Sequence, residues 1–239
     1  MIKVITSKDN QKIKYACSLK ENKYRELNHE FLGESKKSLE MALKAHLVKE
    51  IFTYELLPIE EDIPQYLVNE EVMKKLSTSI NPEGVVFVAK YPEFKKDNLN
   101  KILYLEEVND PGNLGTMIRT ALAFNFDAVV TSKNSVSIYN EKVLAASKGA
   151  NYLIPVFSSE LSDIKNDHVV IASALSDNAI NLDELPIYEK FILIMGNEAH
   201  GISKKTLEKS DVIVKIKISN IDSLNVAVAA GILMQKLAK

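Results

Sequence analysis

Three runs in the second half of the chain combine glycines, amides, an acid and an arginine in a way that suits chemistry. The first is Asn109-Asp110-Pro111-Gly112-Asn113-Leu114-Gly115-Thr116-Met117-Ile118-Arg119-Thr120. Gly112 and Gly115 would let the backbone turn tightly, and Asn113 suits a helix cap. Only two of the 30 basic residues are arginine, Arg25 and Arg119. In a chain that uses lysine almost everywhere, a planar five-donor guanidinium marks a task lysine cannot imitate. One such task is stabilising negative charge that develops on an oxygen. The same run also fits a capped helix with one surface arginine.

The second run, Ile192 to Ser203, is an apolar strand pattern that ends in Gly196-Asn197-Glu198-Ala199-His200-Gly201. Gly196 would allow a ligand close to the backbone. The G-x-G-x-x-G spacing of a dinucleotide site is absent, and so is the Gly-Lys-Ser/Thr of a phosphate loop. His200 reads as a surface loop histidine. The third run, Ile216 to Gly231, places Ser223 where it could cap a helix with small residues at Ala227, Ala229, Ala230 and Gly231. Small side chains permit close backbone packing.

The elements that must carry these runs follow from periodicity. Apolar strand patterns at Ile102–Leu105, Ala128–Thr131, Leu153–Phe157, Val169–Ala174, Phe191–Met195 and Val212–Ile216 alternate with helical patterns. The helical patterns are Leu114–Asn125, Glu141–Lys148, Ser203–Lys209 and Leu224–Lys239. Such alternation predicts an α/β fold with a mostly parallel sheet covered on both faces. Ligands of these sheets bind beyond the carboxyl ends of the strands, where the three runs fall. Ahead of them lies a smaller α/β unit: a helix over residues 11–28, a short extended segment at Phe31-Leu32, a helix at Ser38–Leu47, a strand at Val48–Tyr54, a helix at Glu70–Leu76 and a strand at Val85–Ala89. The polar run from Pro92 to Asn100 reads as a connection. The division predicted is 1–94, a linker at 95–100, and 101–239.

Composition narrows the class. No apolar run approaches the roughly 20 residues of a membrane-spanning helix. Met1 to Thr6 lacks the apolar core of a secretory signal, so a cytoplasmic protein is expected. The single cysteine, Cys17, and four scattered histidines fit no zinc spacing, and no metal is expected. Residues 1–25 hold seven basic groups against two acidic ones, whereas 51–72 hold six acidic groups and no basic one. The basic stretch suits contact with phosphates or a solvated helix face.

In this order and spacing, the three runs resemble the SpoU/TrmH family of RNA 2′-O-methyltransferases, of the SPOUT superfamily, over about residues 101–239. The N-terminal unit is similar to the RNA substrate-binding domain often fused to that family. There Phe31-Leu32-Gly33-Glu34-Ser35 stands for Phe-Leu-Val-Glu-Gly, so Gly33 and Ser35 depart from the pattern. The resemblance implies an α/β-knot domain with a trefoil knot, a homodimer with its active site near the subunit interface, and S-adenosylmethionine as cofactor. It implies catalytic roles for Asn113, Arg119, Glu198, Ser223 and Asn225. Gly196, Asn197, Ile216 and Leu224 would bind the cofactor, largely through backbone groups, with Ala174 and Leu175 as a further lining turn. Lys217 stands where the family often has proline.

The reaction implied is an in-line displacement in which a ribose 2′-oxygen attacks a methyl carbon. The protein must align the reacting atoms and ease loss of the hydroxyl proton. Arg119 serves either by transient deprotonation or, while charged, by stabilising the alkoxide as an RNA phosphate or water takes the proton. Structured RNA is the expected partner, ribosomal RNA ahead of transfer RNA. A non-catalytic RNA-binding protein on the same fold is the alternative reading, and the missing phosphate fingerprint disfavours a dehydrogenase.

Overall fold

A computed structural model describes residues 3–60 and 62–238. Up to residue 90 the elements are β1 (Lys3–Ile5), α1 (Gln11–Ser18), α2 (Asn22–Asn28), β2 (Glu30–Glu34), α3 (Lys36–Lys44), β3 (Val48–Thr53), β4 (Gln65–Val68), α4 (Glu70–Leu76) and β5 (Val85–Lys90). Then follow β6 (Lys101–Leu105), α5 (Pro111–Ala123), β7 (Ala128–Thr131), α6 (Glu141–Ser147), β8 (Val156–Ser158), α7 (Leu161–Ile164), β9 (Val169–Ser173), β10 (Ile180–Asn181), β11 (Phe191–Met195), α8 (Lys204–Leu207), β12 (Val212–Lys215) and α9 (Val226–Leu237). They form two compact units, Met1–Glu93 with Tyr139–Leu153, and Phe94–Ile138 with Ile154–Lys239.

The first unit is built on a five-stranded mixed sheet in the order β1-β4-β3-β5-β2. On one face, Ile13, Ala16 and Leu19 around α1 and Val72, Met73 and Leu76 of α4 bury Phe52, Tyr66, Val86 and Val88. On strand β2, Phe31 stacks on Tyr139 and Tyr152 with ring centroids 5.3 Å apart, and Tyr139 lies 3.8 Å from Tyr91. The residues of α6 and the 3-10 turn at Ala150–Tyr152 thus supply part of this unit's core.

The expected helix over 11–28 is two helices. The chain leaves the helical ladder after Ser18, and Arg25 fills the break. Its Nη1 donates to the carbonyls of Leu19 and Lys20 at 3.0 and 2.7 Å, and its Nη2 to Asn22 Oδ1 at 3.2 Å. Only 4% of Arg25 is exposed. The rest of the basic stretch is engaged as well. Lys8, Lys12 and Lys14 pair with Glu71, Glu50 and Asp9, Lys20 donates to backbone carbonyls, and Lys3 and Lys23 lie over tyrosine rings.

Both departures from Phe-Leu-Val-Glu-Gly have a structural reading. Gly33 lies directly opposite Phe87 in the β2–β5 ladder, and a Cβ there would sit 2.2 Å from the Phe87 ring. The buried ring fills the space a larger residue at 33 would need. Ser35 caps α3, its Oγ accepting from the Ser38 amide at 3.2 Å, but its backbone holds φ 86° and ψ 149°. That region is nearly restricted to glycine and costs about 1–3 kcal/mol for other residues. Glycine as a cap is only a few tenths of a kcal/mol worse than serine, on the order of the capping scale. Ser35→Gly is therefore expected to raise stability by about 1 kcal/mol. Urea midpoints of the two proteins at equal m-value check this, and a lower midpoint for the glycine protein would refute it.

The second unit is a seven-stranded sheet, β10-β12-β9-β11-β6-β7-β8, parallel throughout. Strands β6, β9 and β11 are fully apolar along most of their length because both faces are covered. Ile102, Tyr104, Val170, Ala172, Ile192 and Ile194 form the core of one face with Leu161 and Ile202. From β6 the chain first adds β7 and β8 on one side, then returns to build β9 to β12 on the other. The carboxyl ends of β9, β11 and β12 therefore lie together. Helices α5 and α9 pack on each other. Gly231 lies in this contact, where a Cβ would meet Thr120 Cγ2 at an ordinary van der Waals distance of 3.8 Å. Among the described residues no helix is long and apolar enough to cross a membrane. The expected end of the last helix at Lys239 lies outside the described residues.

Candidate active site

A cleft of about 710 Å³ opens at the carboxyl ends of β9, β11 and β12. Ala174, Leu175, Gly196, Asn197, Ile216 and Leu224 all line it, as do Glu198, Ser223, Asn225 and His200. These come from three connections far apart in sequence, and the parallel sheet brings them together.

The loop after β11 is tightly folded. Asn197 and Gly201 exchange backbone hydrogen bonds at 3.1 and 2.9 Å, with Gly201 at φ 68°. Gly196 is required by close approach of backbone to backbone, because a Cβ there would lie 2.3 Å from the Gly201 carbonyl carbon. The Asn197 side chain is occupied within the protein. Its Oδ1 accepts from the Ala199 and His200 amides at 2.8 and 3.2 Å, and its Nδ2 donates to the Glu107 carbonyl at 2.8 Å.

This turn aims Glu198 at the start of α5. The Glu198 carboxylate accepts from Asn113 Nδ2 at 3.1 Å and from the backbone amides of Asp110 and Asn109 at 3.2 and 3.4 Å. Asn113 Oδ1 in turn accepts from Asn225 Nδ2 at 3.0 Å. Glu198, Asn113 and Asn225 thus form one hydrogen-bonded chain linking three segments. Burial pushes the Glu198 carboxyl up, but the bonds from Asn113, its own backbone amide, Asp110 and Asn109 outweigh burial and hold it below the ordinary carboxylate range. Glu198 is therefore a fixed anion at neutral pH, an orienting group rather than a proton acceptor for a ribose hydroxyl.

Several local expectations are corrected here. Asn113 is not the cap of α5. Asp110 is, its Oδ1 accepting from the Asn113 amide at 2.7 Å, with Pro111 opening the helix. Gly112 and Gly115 consequently lie inside the helix and not in a turn. Ser223 is not the cap of α9 either. Asn225 takes that place, accepting from the Ala227 and Val228 amides at 2.9 and 3.3 Å, and the helix starts at Val226. Each cap is an acid or amide with a closer path to the free amides.

Arg119 stands apart. It is exposed on α5, six residues past Asn113, and does not line the cleft of its own chain. With Gly112, Thr116 and Ala123 it forms an exposed stripe at helical spacing. On the adjoining α9, Val228 and Ile232 are 53% and 38% exposed.

The cleft fits S-adenosylmethionine. Its volume lies within the range of about 300–1,000 Å³ usual for small-molecule sites. Leu175, Ile216, Ile218 and Leu224 offer apolar walls, the irregular backbone at 196–201 and 216–224 offers polar groups, and Glu198 brings a negative charge to the lining of a site for a cationic ligand.

Comparison with known proteins bears on the whole chain. Residues 100–235 match the SpoU rRNA Methylase family, and residues 10–86 match the MRM3-like substrate binding domain. A 23S rRNA (guanosine(2553)-2′-O)-methyltransferase, RlmP of Bacillus subtilis strain 168, is 35% identical, with 99% of each chain covered. A crystal structure of an RNA 2′-O ribose methyltransferase superposes with a TM-score of 0.83 and 27% identity, covering 98% of this chain and 97% of that one. An AdoMet-bound rRNA methyltransferase from Sinorhizobium meliloti shares the fold at a TM-score of 0.87 and 23% identity, covering 99% and 97%.

Proposed function

Because the chain belongs to the SpoU rRNA methylase family, we propose that it methylates a ribose 2′-hydroxyl of ribosomal RNA in the cytoplasm, with S-adenosylmethionine as donor. The observation that carries the reading is the Glu198–Asn113–Asn225 chain at the mouth of an apolar-walled cleft. The first unit, through its substrate-binding match, holds the RNA.

S-adenosylmethionine, when bound, supplies a methyl carbon already activated by the positive charge on its sulfur. The backbone turns at Gly196, Ile216 and Leu224, with Leu175 and Ile218 lining the same cleft, would hold that group. Asn113 and Asn225, fixed by Glu198, present amides to the incoming ribose. Ser223, exposed on the same rim, adds a hydroxyl. Arg119 remains charged and stabilises the ribose oxygen as its proton leaves to an RNA phosphate or water.

Since Arg119 does not line its own cleft, the reading assigns it to the cleft of a second copy, in a homodimer closed by the exposed faces of α5 and α9. Mixing Arg119→Ala with Asn225→Ala subunits by co-expression tests this. Neither variant alone methylates RNA appreciably, but random pairing places one intact site in half of the dimers, so about a quarter of parental activity returns. No recovery would refute the shared site. The activity itself is tested by mapping 2′-O-methyl positions on total RNA from cells with and without the protein. Loss of one ribosomal position is expected, and an unchanged ribosomal map would overturn the proposal.

A further inference from the structure

A second carboxylate, Glu106, braces the loop that walls the cleft. Glu106 follows the last residue of β6, and its amide donates to the Met195 carbonyl at 2.9 Å, extending the β6–β11 pairing by a step. Its side chain then reaches the far end of the loop that carries Glu198. Oε2 accepts from the Ser203 amide at 2.8 Å, and Oε1 from Ser203 Oγ at 2.9 Å and Thr206 Oγ1 at 2.5 Å. Thr206 is buried, and Ser203 is the cap of α8.

The loop from Gly196 to Ser203 is therefore fastened to the β6–α5 connection at three levels. Asn197 holds its start through the Glu107 carbonyl, Glu198 its middle through Asn113, and Glu106 its exit. Without the last, the exit of the loop would be held only through its start and middle, by the Asn197–Glu107 bond and the Glu198 contacts. The Thr206 bond to Glu106, at 2.5 Å, is the shortest in the three sets, and its acceptor, as at Glu198, is a carboxylate, the stronger class of acceptor. The loop they fix forms one wall of the cleft, through Gly196, Asn197 and Gly201.

We propose that Glu106 is a positioning residue for methyl transfer, which sets the height of the Gly196–Ser203 loop and with it the cofactor wall and the aim of Glu198. This rests on the methyltransferase reading above. It acts through Ser203 and Thr206 and does not itself line the cleft.

The test compares the parent with Glu106→Ala, Glu106→Asp and Thr206→Val. Calorimetric titration with S-adenosylhomocysteine, the demethylated cofactor, gives affinity. Amide hydrogen exchange of each protein without cofactor reports loop order. Glu106→Ala is expected to weaken binding about tenfold or more and to speed exchange over residues 197–203 while the strand amides of β11 stay protected. Thr206→Val, nearly the same shape, should show a smaller change in the same direction, and Glu106→Asp should restore part of the affinity. In turnover, KM for S-adenosylmethionine rises while KM for RNA stays within about twofold, a split that general loss of fold would not produce. Should Glu106→Ala not fold, Thr206→Val and Glu106→Asp carry the same readouts. Unchanged affinity and unchanged loop exchange in the variants that fold would overturn the role of Glu106. A parent that fails to bind S-adenosylhomocysteine would instead overturn the methyltransferase reading.

Discussion

Replacing Arg119 by alanine is expected to lower kcat about 10²–10³-fold, the usual cost of removing a donor aimed at a developing oxyanion. The thermal midpoint should hardly move. Within its own chain Arg119 is exposed on α5, and the stability of that chain's fold usually changes by no more than about 0.5 kcal/mol on substitution at such a site. Activity and stability therefore separate in this variant, which is what marks a group acting on substrate. Arg119→Lys keeps the charge but loses the planar fork, and it should recover only a small part of the rate. Single-turnover methylation of a ribosomal RNA fragment, read beside a melting curve, decides the matter. An alanine variant with kcat near that of the parent would remove Arg119 from the reaction.

Glu198→Ala should be nearly as damaging, about 10²-fold in kcat/KM, for a different reason. The change leaves Asn113 Nδ2 and the amides of Asp110 and Asn109 without their acceptor, and it frees Asn113 to swing away from Asn225. Glu198→Gln keeps one oxygen but turns an amide toward the same donors, so it should rescue little. The pH dependence follows from the lowered carboxyl. Because folding lowers its pKa, Glu198 contributes stability that is complete above the unfolded value near 4.5 and is lost as pH falls through the lower folded value. The parent should thus lose stability faster than Glu198→Gln on acidification below that point. Between neutrality and pH 5, protonation of Glu198 should contribute no loss of kcat/KM. Paired denaturant titrations across acid pH check the first statement and a pH–rate profile the second. An acid limb centred near pH 6 that vanishes in Glu198→Gln would contradict the assignment of Glu198 as a fixed anion.

Much of this site is legible in the sequence. Fully buried apolar strands such as Phe191–Met195 and Ala128–Thr131 are legible to the residue, because strands covered on both faces carry an unbroken signal. The cleft lining was legible for a different reason: the resemblance supplied residues that spacing alone could not join. What failed was short or depended on partners. β1 and β4, of three and four residues, give too little periodicity to see, and β4 lies in an acidic stretch that reads as solvated. The caps were misplaced because Asp110 and Asn113, like Ser223 and Asn225, are both good capping types, and only the backbone path chooses between them. Arginine scarcity points to Arg119 and equally to Arg25, whose guanidinium donates through Nη1 to two carbonyls and through Nη2 to Asn22, a spread that one lysine nitrogen does not match. The place of Arg119 outside its own cleft, and the brace at Glu106, depend on contacts across 97 to 100 positions of sequence or on a second chain, which no local pattern encodes.

The stacked rings of Phe31, Tyr91, Tyr139 and Tyr152 bear on how the chain must emerge from the ribosome. All five strands of the first unit have been synthesised by residue 90, yet its aromatic layer stays open until Tyr139 and Tyr152 arrive. By then β6 and β7 have also been made, while β11, the other strand that pairs with β6, has not. Domains usually mature one after another during translation. Here the earlier one waits on a stretch encoded within the later one, so their maturation is interleaved. A protein cut after residue 93 would be left with a greasy, unfilled face, and expressing the halves separately should yield two poor folders rather than two working parts.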